Sequence, residues 1–449
     1  MSSDAPTLKR VGKDQLRLGM YVDAIDGTWL DHPFWKAHFL LTKPADLEAL
    51  RASTIEGVVI DTAKGLDIEQ TPAPHPAEPA DTTPPPPSPR AKGGKTARAR
   101  KNAAKVDYSV PDFGAASSTV PSSLSEEFDR AGEIVHRARE IVTQLFDEVR
   151  LGKTIEASQL RPLVDAMAGS LARNRSAMSS IVRLKSKDEY TYMHSVAVST
   201  LMVNLARELN LNSQDTQDAG VAGLLHDIGK MAVPTALLQK TGPLSDTEFK
   251  LVRTHPARGH AILSGSEGVS EAALDVCLHH HEKMDGTGYP ERLPGDRISL
   301  FARMGAVCDV YDAVTSNRPY KSPWTPSEAL ARMYAWKGHF DPAVLSAFIR
   351  SLGIYPVGSL VRLKSGALAI VRDQSADLTR PQVRIFHSAT DRVDIPVRDL
   401  DLSAVDDDGI ASSENPDHWA LPDWERLWPV IIAAPTGKPV SAQRSHAIG

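Results

Sequence analysis

A proline-rich segment divides the chain and excludes a single continuous domain. Nine prolines fall among the 18 residues from Pro72 to Pro89, and such a segment lacks the backbone N–H groups and apolar side chains of a folded core. Seven cations and no acid follow between Arg90 and Lys105, a composition that stays solvated. We therefore expect a disordered linker at residues 69–122, with folded units on either side.

The basic half of this linker has two interpretations. It either binds a polyanion, such as nucleic acid or an anionic membrane surface, or serves as a solubilising tether. No aromatic residue alternates with these cations to stack on bases, so the tether is favoured and no specific nucleic-acid partner is expected. The whole chain has 51 Lys+Arg and 56 Asp+Glu, a net charge of −5, which also argues against general polyanion binding.

Outside the linker the sequence predicts a mainly all-α protein with two small β-containing units. Residues 8–68 combine short apolar runs with one helical stretch, which indicates an α+β module. The pattern is helical over residues 123–354, and three β-rich runs predict a small antiparallel sheet at 355–404. Residues 405–449 form a tail with three tryptophans, which either docks elsewhere or packs on the β unit.

A long amphipathic helix is predicted at the start of the helical region. Ser123 and Glu126 have the spacing of a capping box. Apolar residues then recur at alternating intervals of three and four, at Phe128, Ala131, Val135, Ala138, Val142, Leu145 and Val149. This seam either packs on the helix's own domain or forms a coiled-coil homodimer through residues 123–149.

Cysteine usage and hydropathy indicate a cytoplasmic protein. Cys277 and Cys308 are too few for a disulfide framework, and no secretory signal is recognised. Both are expected to be buried, reduced thiols. No apolar run approaches the ~18 residues of an ordinary membrane-spanning helix, so no membrane span is predicted.

Histidines and aspartates cluster in the helical region. The set comprises His194, the pair His226-Asp227, His255, the triplet His279-His280-His281, and Asp309. Imidazoles and carboxylates in this number suit a site for two divalent ions. One such histidine alone is usually structural, but the group together predicts a metal centre.

Several of these residues stand in motifs that resemble the HD-GYP family. The motifs are His226-Asp227-Ile228-Gly229-Lys230, His255-Pro256, His280-His281-Glu282, Asp285-Gly286-Thr287-Gly288-Tyr289-Pro290, Asp309-Val310-Tyr311-Asp312-Ala313-Val314-Thr315 and Arg318-Pro319-Tyr320-Lys321. They occur in the family's order, and the resemblance covers residues 123–355. Residues 8–68 resemble the small domain of unknown function that often precedes HD-GYP domains.

The resemblance implies an HD-superfamily enzyme that hydrolyses the bacterial second messenger cyclic di-GMP to linear pGpG, and leaves open whether hydrolysis stops there or continues to GMP. It also implies that a hydroxide bridging two divalent ions, iron or manganese, would attack a phosphodiester. Two alternatives stay open. One is hydrolysis of another cyclic dinucleotide, and the other is a non-catalytic module that binds cyclic di-GMP or a diguanylate cyclase (GGDEF) partner.

The resemblance also implies roles for individual residues. One ion is held by His194, His226, Asp227 and Asp309. The other is held by Asp227, His255, His280 and His281, so that Asp227 bridges the ions and is catalytic. The implied substrate contacts are Lys230, Gly286, Tyr289, Arg318 and Lys321, of which Lys230 is also catalytic. Glu282 is expected to orient a ligand imidazole, and His279 to be structural.

The residue four positions before His194 favours two ions over three. Relatives with a third metal have a glutamate there, whereas this chain has Tyr190. Tyrosine is a poor neutral ligand, and the neighbouring Asp188 and Glu189 have a different helical phase. We therefore predict a two-metal centre.

Overall fold

The structure is a computed structural model that describes part of the chain. The described residues are 8–26, 39–42, 44–52, 57–67, 120–181, 190–238, 240, 244–316, 323–421 and 424–440. Most of the predicted linker lies outside them, as do Asp188, Glu189, Arg318 and Lys321, and the side chain of Tyr190 is not described either. The chain divides into two compact units.

The amino-terminal unit contains a four-stranded antiparallel sheet and one helix. Its elements are β1 (Leu8–Gly12), β2 (Tyr21–Asp26), β3 (Phe39–Leu40), α1 (Pro44–Ala52) and β4 (Gly57–Asp61). The strand order is β1-β4-β2-β3. Strand β4 pairs on both sides, and its Val58 and Ile60 are fully buried, which explains its nearly continuous apolar sequence. This α+β unit agrees with the predicted fold class.

The larger unit is dominated by helices, which confirms the mainly all-α prediction. They are α2 (Leu124–Arg150), α3 (Arg161–Arg173), α4 (Arg175–Ile181), α5 (Tyr190–Glu208), α6 (Ser213–Leu225), α7 (Thr235–Leu238), α8 (Asp246–Val252), α9 (His255–Ser264), α10 (Glu271–His279), α11 (Leu300–Thr315), α12 (Pro326–Ala335) and α13 (Pro342–Leu352). A 3-10 turn at Ile228–Ala232 follows α6. In the portion of the chain that is described, no helix combines the length and apolarity needed to cross a membrane.

Helix α2 begins at the predicted capping box and buries the predicted seam. The Ser123 hydroxyl accepts from the Glu126 N–H, and the Glu126 carboxylate accepts from the Ser123 N–H at 3.1 Å. The seam positions from residue 131 to 149 are buried in the core that α2 shares with α3, α4 and α5. The structure therefore supports the intradomain interpretation, and a homodimer through this seam is not supported because the seam is already occupied.

The carboxyl-terminal part contains an antiparallel sheet, as predicted, but the sheet has five strands, whereas three β-rich runs were recognised in the sequence. Its elements are β5 (Leu360–Leu363), β6 (Ala367–Asp373), β7 (Gln382–Ser388), β8 (Val393–Asp401), β9 (Ile410–Ser413) and α14 (Trp424–Ala433), with strand order β8-β7-β6-β5-β9. Trp428 of α14 is 1% exposed in its core. Residues 410–440 therefore pack on the β unit, which extends past the predicted boundary at residue 404.

A buried arginine holds α14 on this sheet. The Arg384 guanidinium donates to the carbonyl oxygen of Ala434 at 2.9 Å and to both carboxylate oxygens of Asp399 at 2.6 and 2.8 Å. A cation at the carboxyl end of a helix satisfies free carbonyls and opposes the helix dipole. The tail is thereby fixed by contacts far apart in sequence.

Candidate metal centre

Helix ends bring the predicted donors together. His226 and Asp227 follow the last residue of α6, His255 opens α9, and His280 and His281 follow α10. Two further donors, His194 on α5 and Asp309 on α11, lie within their helices. All of these residues are buried except His281, whose side chain is 14% exposed.

The turn after α6 approaches α9 closely because residue 229 is glycine. A Cβ at Gly229 would overlap the carbonyl oxygen of His255 and come within 2.5 Å of the amide nitrogen of Gly259. Only a residue without a side chain permits this contact. The contact places His255 beside Asp227, although 28 residues separate them in the sequence.

The Asp227 carboxylate lies between two groups of imidazoles. Its Oδ2 atom is 3.3 Å from His226 Nε2 and 3.6 Å from His194 Nε2. Its Oδ1 atom is 3.3 Å from His255 Nε2 and 3.9 Å from His280 Nε2. Two donor groups therefore meet at this carboxylate. One group consists of His194, His226 and Asp227 itself, and the other consists of His255, His280 and His281.

Asp309 contacts the same groups from α11. Its Oδ1 atom is 2.9 Å from His194 Nε2 and 3.9 Å from His226 Nε2. Its Oδ2 atom is 3.8 Å from His281 Nδ1. All seven predicted metal ligands therefore meet in one buried cluster.

Backbone carbonyls orient three of the imidazoles. The Nδ1 atoms of His226, His255 and His280 lie 2.8, 2.8 and 2.9 Å from the carbonyl oxygens of Gly223, Val252 and Val276. Because a carbonyl only accepts, each Nδ1 carries the proton and each Nε2 presents its lone pair to the cluster.

The fourth imidazole is oriented by a carboxylate that sequence reasoning missed. Asp312 Oδ2 lies 2.6 Å from His194 Nδ1. Asp312 stands three residues after Asp309 on α11, a spacing that places both side chains on one face of a helix. The three-residue spacing from Asp309 was the only signal for Asp312 in the sequence. Its partner, His194, lies on α5, so the contact cannot be predicted from the sequence of α11 alone.

The hydrogen bonds within the cluster leave buried polar atoms unpaired, and these atoms are suited to bind divalent ions. His226 Nε2 and Asp227 Oδ1 are buried and have no hydrogen-bond partner among the described residues. Leaving such atoms unpaired is costly unless a ligand occupies them. Donor separations of 2.9–3.9 Å also suit atoms that share a cation at bond lengths of about 2.0–2.2 Å.

The electrostatics of the cluster give His255, His280 and Asp227 the protonation states that metal ligands need. Burial lowers the pKa of His255 to about 4 and that of His280 to about 3. Burial alone would raise the pKa of Asp227, but Lys230 and His226 hold it well below its usual range. Neutral imidazoles and ionised carboxylates bind metal without first releasing a proton.

Of the predicted substrate contacts, the structure describes three. The Lys230 ammonium forms an ion pair with Asp227 Oδ2, and Tyr289 stacks on His281 with ring centroids 4.6 Å apart and planes 25° apart. Gly286 has φ +74°, a conformation that favours glycine. Arg318 and Lys321 lie outside the described residues.

Glu282 holds the loop that carries Tyr289. Its carboxylate accepts from the N–H groups of Glu291, Arg292 and Leu293 at 2.7, 2.9 and 3.1 Å. The predicted hydrogen bond to a ligand imidazole is not among its described contacts. The reason is that the chain turns back after Pro290 and brings three backbone donors to the carboxylate.

The remaining predictions near the centre concern residues assigned no role in metal binding. His279 Nδ1 lies 2.6 Å from Asp275 Oδ1, which agrees with a structural role. Cys277 and Cys308 are buried and unpaired, as predicted. Burial raises the pKa of both thiols, so neither is a thiolate near neutral pH.

Comparison with known proteins assigns the domains. Residues 175–344 match the family model described as HD domain, a divalent-metal-binding fold, and residues 8–160 match a domain of unknown function (DUF3391). A cyclic di-GMP phosphodiesterase of Pseudomonas aeruginosa is 46% identical over 424 residues, which cover 94% of this chain and 95% of that protein.

Two further relatives match part of the chain. The cyclic di-GMP phosphodiesterase response regulator RpfG of Xanthomonas campestris is 39% identical over 40% of this chain and 48% of its own length. The 3'3'-cGAMP-specific phosphodiesterase 2 of Vibrio cholerae is 34% identical over 38% of this chain and 33% of its own length. With the metal donors of the HD-GYP motifs assembled in one buried cluster and a relative aligned along nearly the whole chain, this protein belongs to the HD-GYP family.

Proposed function

We propose that this protein is a metal-dependent phosphodiesterase that hydrolyses cyclic di-GMP to linear pGpG and further to GMP. The observation that carries the proposal is the Asp227 carboxylate, whose two oxygens face two groups of imidazoles. A carboxylate between two donor groups is suited to a pair of divalent ions, a common centre for phosphodiester hydrolysis. The substrate is inferred from the Pseudomonas aeruginosa relative, which is 46% identical.

The proposed centre holds two ions, iron or manganese. One ion would be held by His194, His226, Asp227 and Asp309. The other would be held by Asp227, His255, His280 and His281. When bound, the ions supply Lewis acidity and neutralise charge on the phosphodiester.

The residues around the ligands bind and orient the substrate. Lys230, 24% exposed at its side chain, keeps Asp227 ionised and presents a cation to a phosphate oxygen. Tyr289 covers His281 and excludes water from that side of the centre. Arg318 and Lys321 are proposed as further phosphate contacts. A cytoplasmic location is proposed from cysteine usage and hydropathy, and a diguanylate cyclase (GGDEF) partner is proposed from the family resemblance.

A second candidate substrate is cyclic GMP-AMP. It is favoured by the relative in Vibrio cholerae whose name specifies 3'3'-cGAMP and which is 34% identical over 174 residues. A non-catalytic binding module is less favoured, because none of the donors that the HD-GYP motifs contribute to the cluster is replaced in this chain.

The test is turnover by the full chain loaded anaerobically with iron or manganese. Cyclic di-GMP is expected to give pGpG in a chromatographic assay, faster than 3'3'-cGAMP is opened. Asp227→Ala should lose both activity and bound metal, whereas Asp218→Ala on α6, which removes a carboxylate paired with Arg161, should keep both. Binding of cyclic di-GMP without turnover in either metal would favour the binding module instead.

A further inference from the structure

A guanidinium lies beside the metal centre that neither the motifs nor the relatives assign. Arg253 lies in the short link between α8 and α9, two residues before His255. Its Cζ atom is 4.2 Å from the ring centroid of Tyr289 and 5.8 Å from that of Phe249. Such distances are typical of cation–π contacts.

Tyr289 contacts both Arg253 and a proposed metal ligand. The ring that contacts the guanidinium also stacks on His281 at a centroid distance of 4.6 Å. One ring therefore contacts both the guanidinium and the imidazole. The guanidinium thus lies against a ring that itself stacks on a residue of the metal centre.

Arg253 has no carboxylate partner among the described residues. Other arginines of the helical unit are neutralised, for example Arg303 by Asp341 at 2.9 Å and Arg332 by Glu328 at 2.9 Å. A guanidinium stacked on a ring keeps its N–H donors in the plane of the group, where they remain free to bind. A half-buried guanidinium in this state is suited to bidentate contact with a phosphate.

We propose that Arg253 binds the second phosphodiester of a cyclic dinucleotide, the one that is not cleaved, and so positions the other at the metal centre. The inference rests on the proposed function. A cyclic dinucleotide has two phosphodiesters in one small ring, so a group beside the centre reaches the second when the first is in place. Arg253 is thus a positioning residue, and it does not take part in bond breaking.

The test compares a substrate with two phosphodiesters and one with a single phosphodiester. In the metal-loaded full chain, Arg253→Gln should lower kcat/KM for cyclic di-GMP about 10- to 100-fold, mainly through KM. Arg253→Lys should restore part of this loss, because it keeps the charge but not the planar fork. Hydrolysis of bis(p-nitrophenyl) phosphate, which has no second phosphodiester, should change less than about twofold.

Controls separate this role from a structural one. Arg332→Gln removes a comparable arginine–aromatic contact, with Cζ 4.5 Å from the Trp324 ring, and should leave both substrates unaffected. Equal losses on both substrates in Arg253→Gln would mean that Arg253 only supports Tyr289, and would overturn the proposal. A loss on cyclic di-GMP that is absent for cyclic di-AMP would assign the contact to a guanine base, and would overturn it as well.

A binding measurement that requires no turnover tests the role of Arg253 independently of the proposed function. Cyclic di-GMP binding to metal-depleted protein, measured by calorimetry, should weaken at least fivefold in Arg253→Gln, and an unchanged affinity would contradict the proposal. If the metal-loaded wild type opens none of the cyclic dinucleotides, the proposed function fails, while the binding comparison still decides whether Arg253 binds the ligand.

Discussion

At the scale of single residues, His194 differs from the imidazoles around it. Its Nδ1 atom lies 2.6 Å from a carboxylate oxygen of Asp312, whereas three neighbouring imidazoles donate to backbone carbonyls. A carboxylate behind a ligand imidazole fixes the tautomer and increases the basicity of the nitrogen that faces the metal. The pKa of His194 is raised even though burial opposes the rise, because Asp309 and Asp312 favour its charged form.

Asp312→Asn should therefore weaken metal binding without removing a ligand. The expected loss of metal affinity is about 10- to 100-fold, measured by competition with a chelator. Asp275→Asn is the matched control, because Asp275 lies at the same 2.6 Å from Nδ1 of a histidine outside the two donor groups, His279. That variant should change the affinity less than about threefold. Equal losses in the two variants would contradict a specific role for Asp312.

Site residues that belong to a sequence motif were predictable. Residues whose role depends on a contact with another helix or loop were not. The donor pair His226-Asp227 is adjacent in the sequence, and its proximity to His255 followed from the family resemblance. The carboxylate of Glu282 was misjudged, because its partners are backbone N–H groups of a loop whose path depends on three-dimensional folding. Arg253 was missed because a cation near a histidine is common in sequences.

At the scale of elements, local sequence signals predicted helix α2, whereas tertiary packing determined which partner its apolar face contacts. The Ser123 cap and the alternating apolar positions are visible in the sequence, and both are present. Whether the seam faces a second chain or the same chain depends on α3, α4 and α5, which cover it. Periodicity alone reports which face of a helix is apolar and carries no information about what buries it.

The turn after α6 gives a test at this scale. Gly229→Ala should destabilise the protein by at least about 2 kcal/mol, because the added Cβ would overlap backbone atoms of α9 that cannot move without displacing His255. Metal affinity should fall together with stability. Urea unfolding and metal titration measure the two effects.

Gly265→Ala is the control for this substitution. Its Cβ would lie 3.7 Å from the nearest atom, the carbonyl oxygen of Ile262, which is an ordinary contact, so the expected change in stability is below about 1 kcal/mol. Similar stability in the two variants would show that the close approach of the turn to α9 is not required.

At the scale of the whole molecule, the boundary of the carboxyl-terminal β unit was the least predictable feature. The tail beyond residue 404 reads as polar and irregular, yet β9 and α14 complete the β unit. The reason is that strand β9 pairs with β5, about 50 residues earlier, and Trp428 packs edge-on against Phe128 of α2 at 5.9 Å. Contacts over such separations leave no local signal in the sequence.

The buried imidazoles also make the stability of the metal-free protein depend on pH. His255 has a pKa of about 4 in the folded chain and about 6.5 when unfolded, so between these values the unfolded chain binds the extra proton. The contribution of the His255 imidazole to the free energy of unfolding is therefore fully present above about pH 6.5 and is lost as the pH falls towards 4. His280, with a pKa of about 3, acts in the same direction, while the raised pKa of His194 opposes both.

His255→Gln isolates this contribution in the metal-depleted full chain. Between pH 7.5 and pH 5, the wild type should lose about 1–2 kcal/mol more unfolding free energy than the variant, because the variant has no imidazole to protonate on unfolding. Urea unfolding at the two pH values measures the difference. His136→Gln, which replaces an imidazole that is 62% exposed on α2, should keep the pH dependence of the wild type. An identical pH dependence in His255→Gln would mean that protonation of His255 is not linked to unfolding.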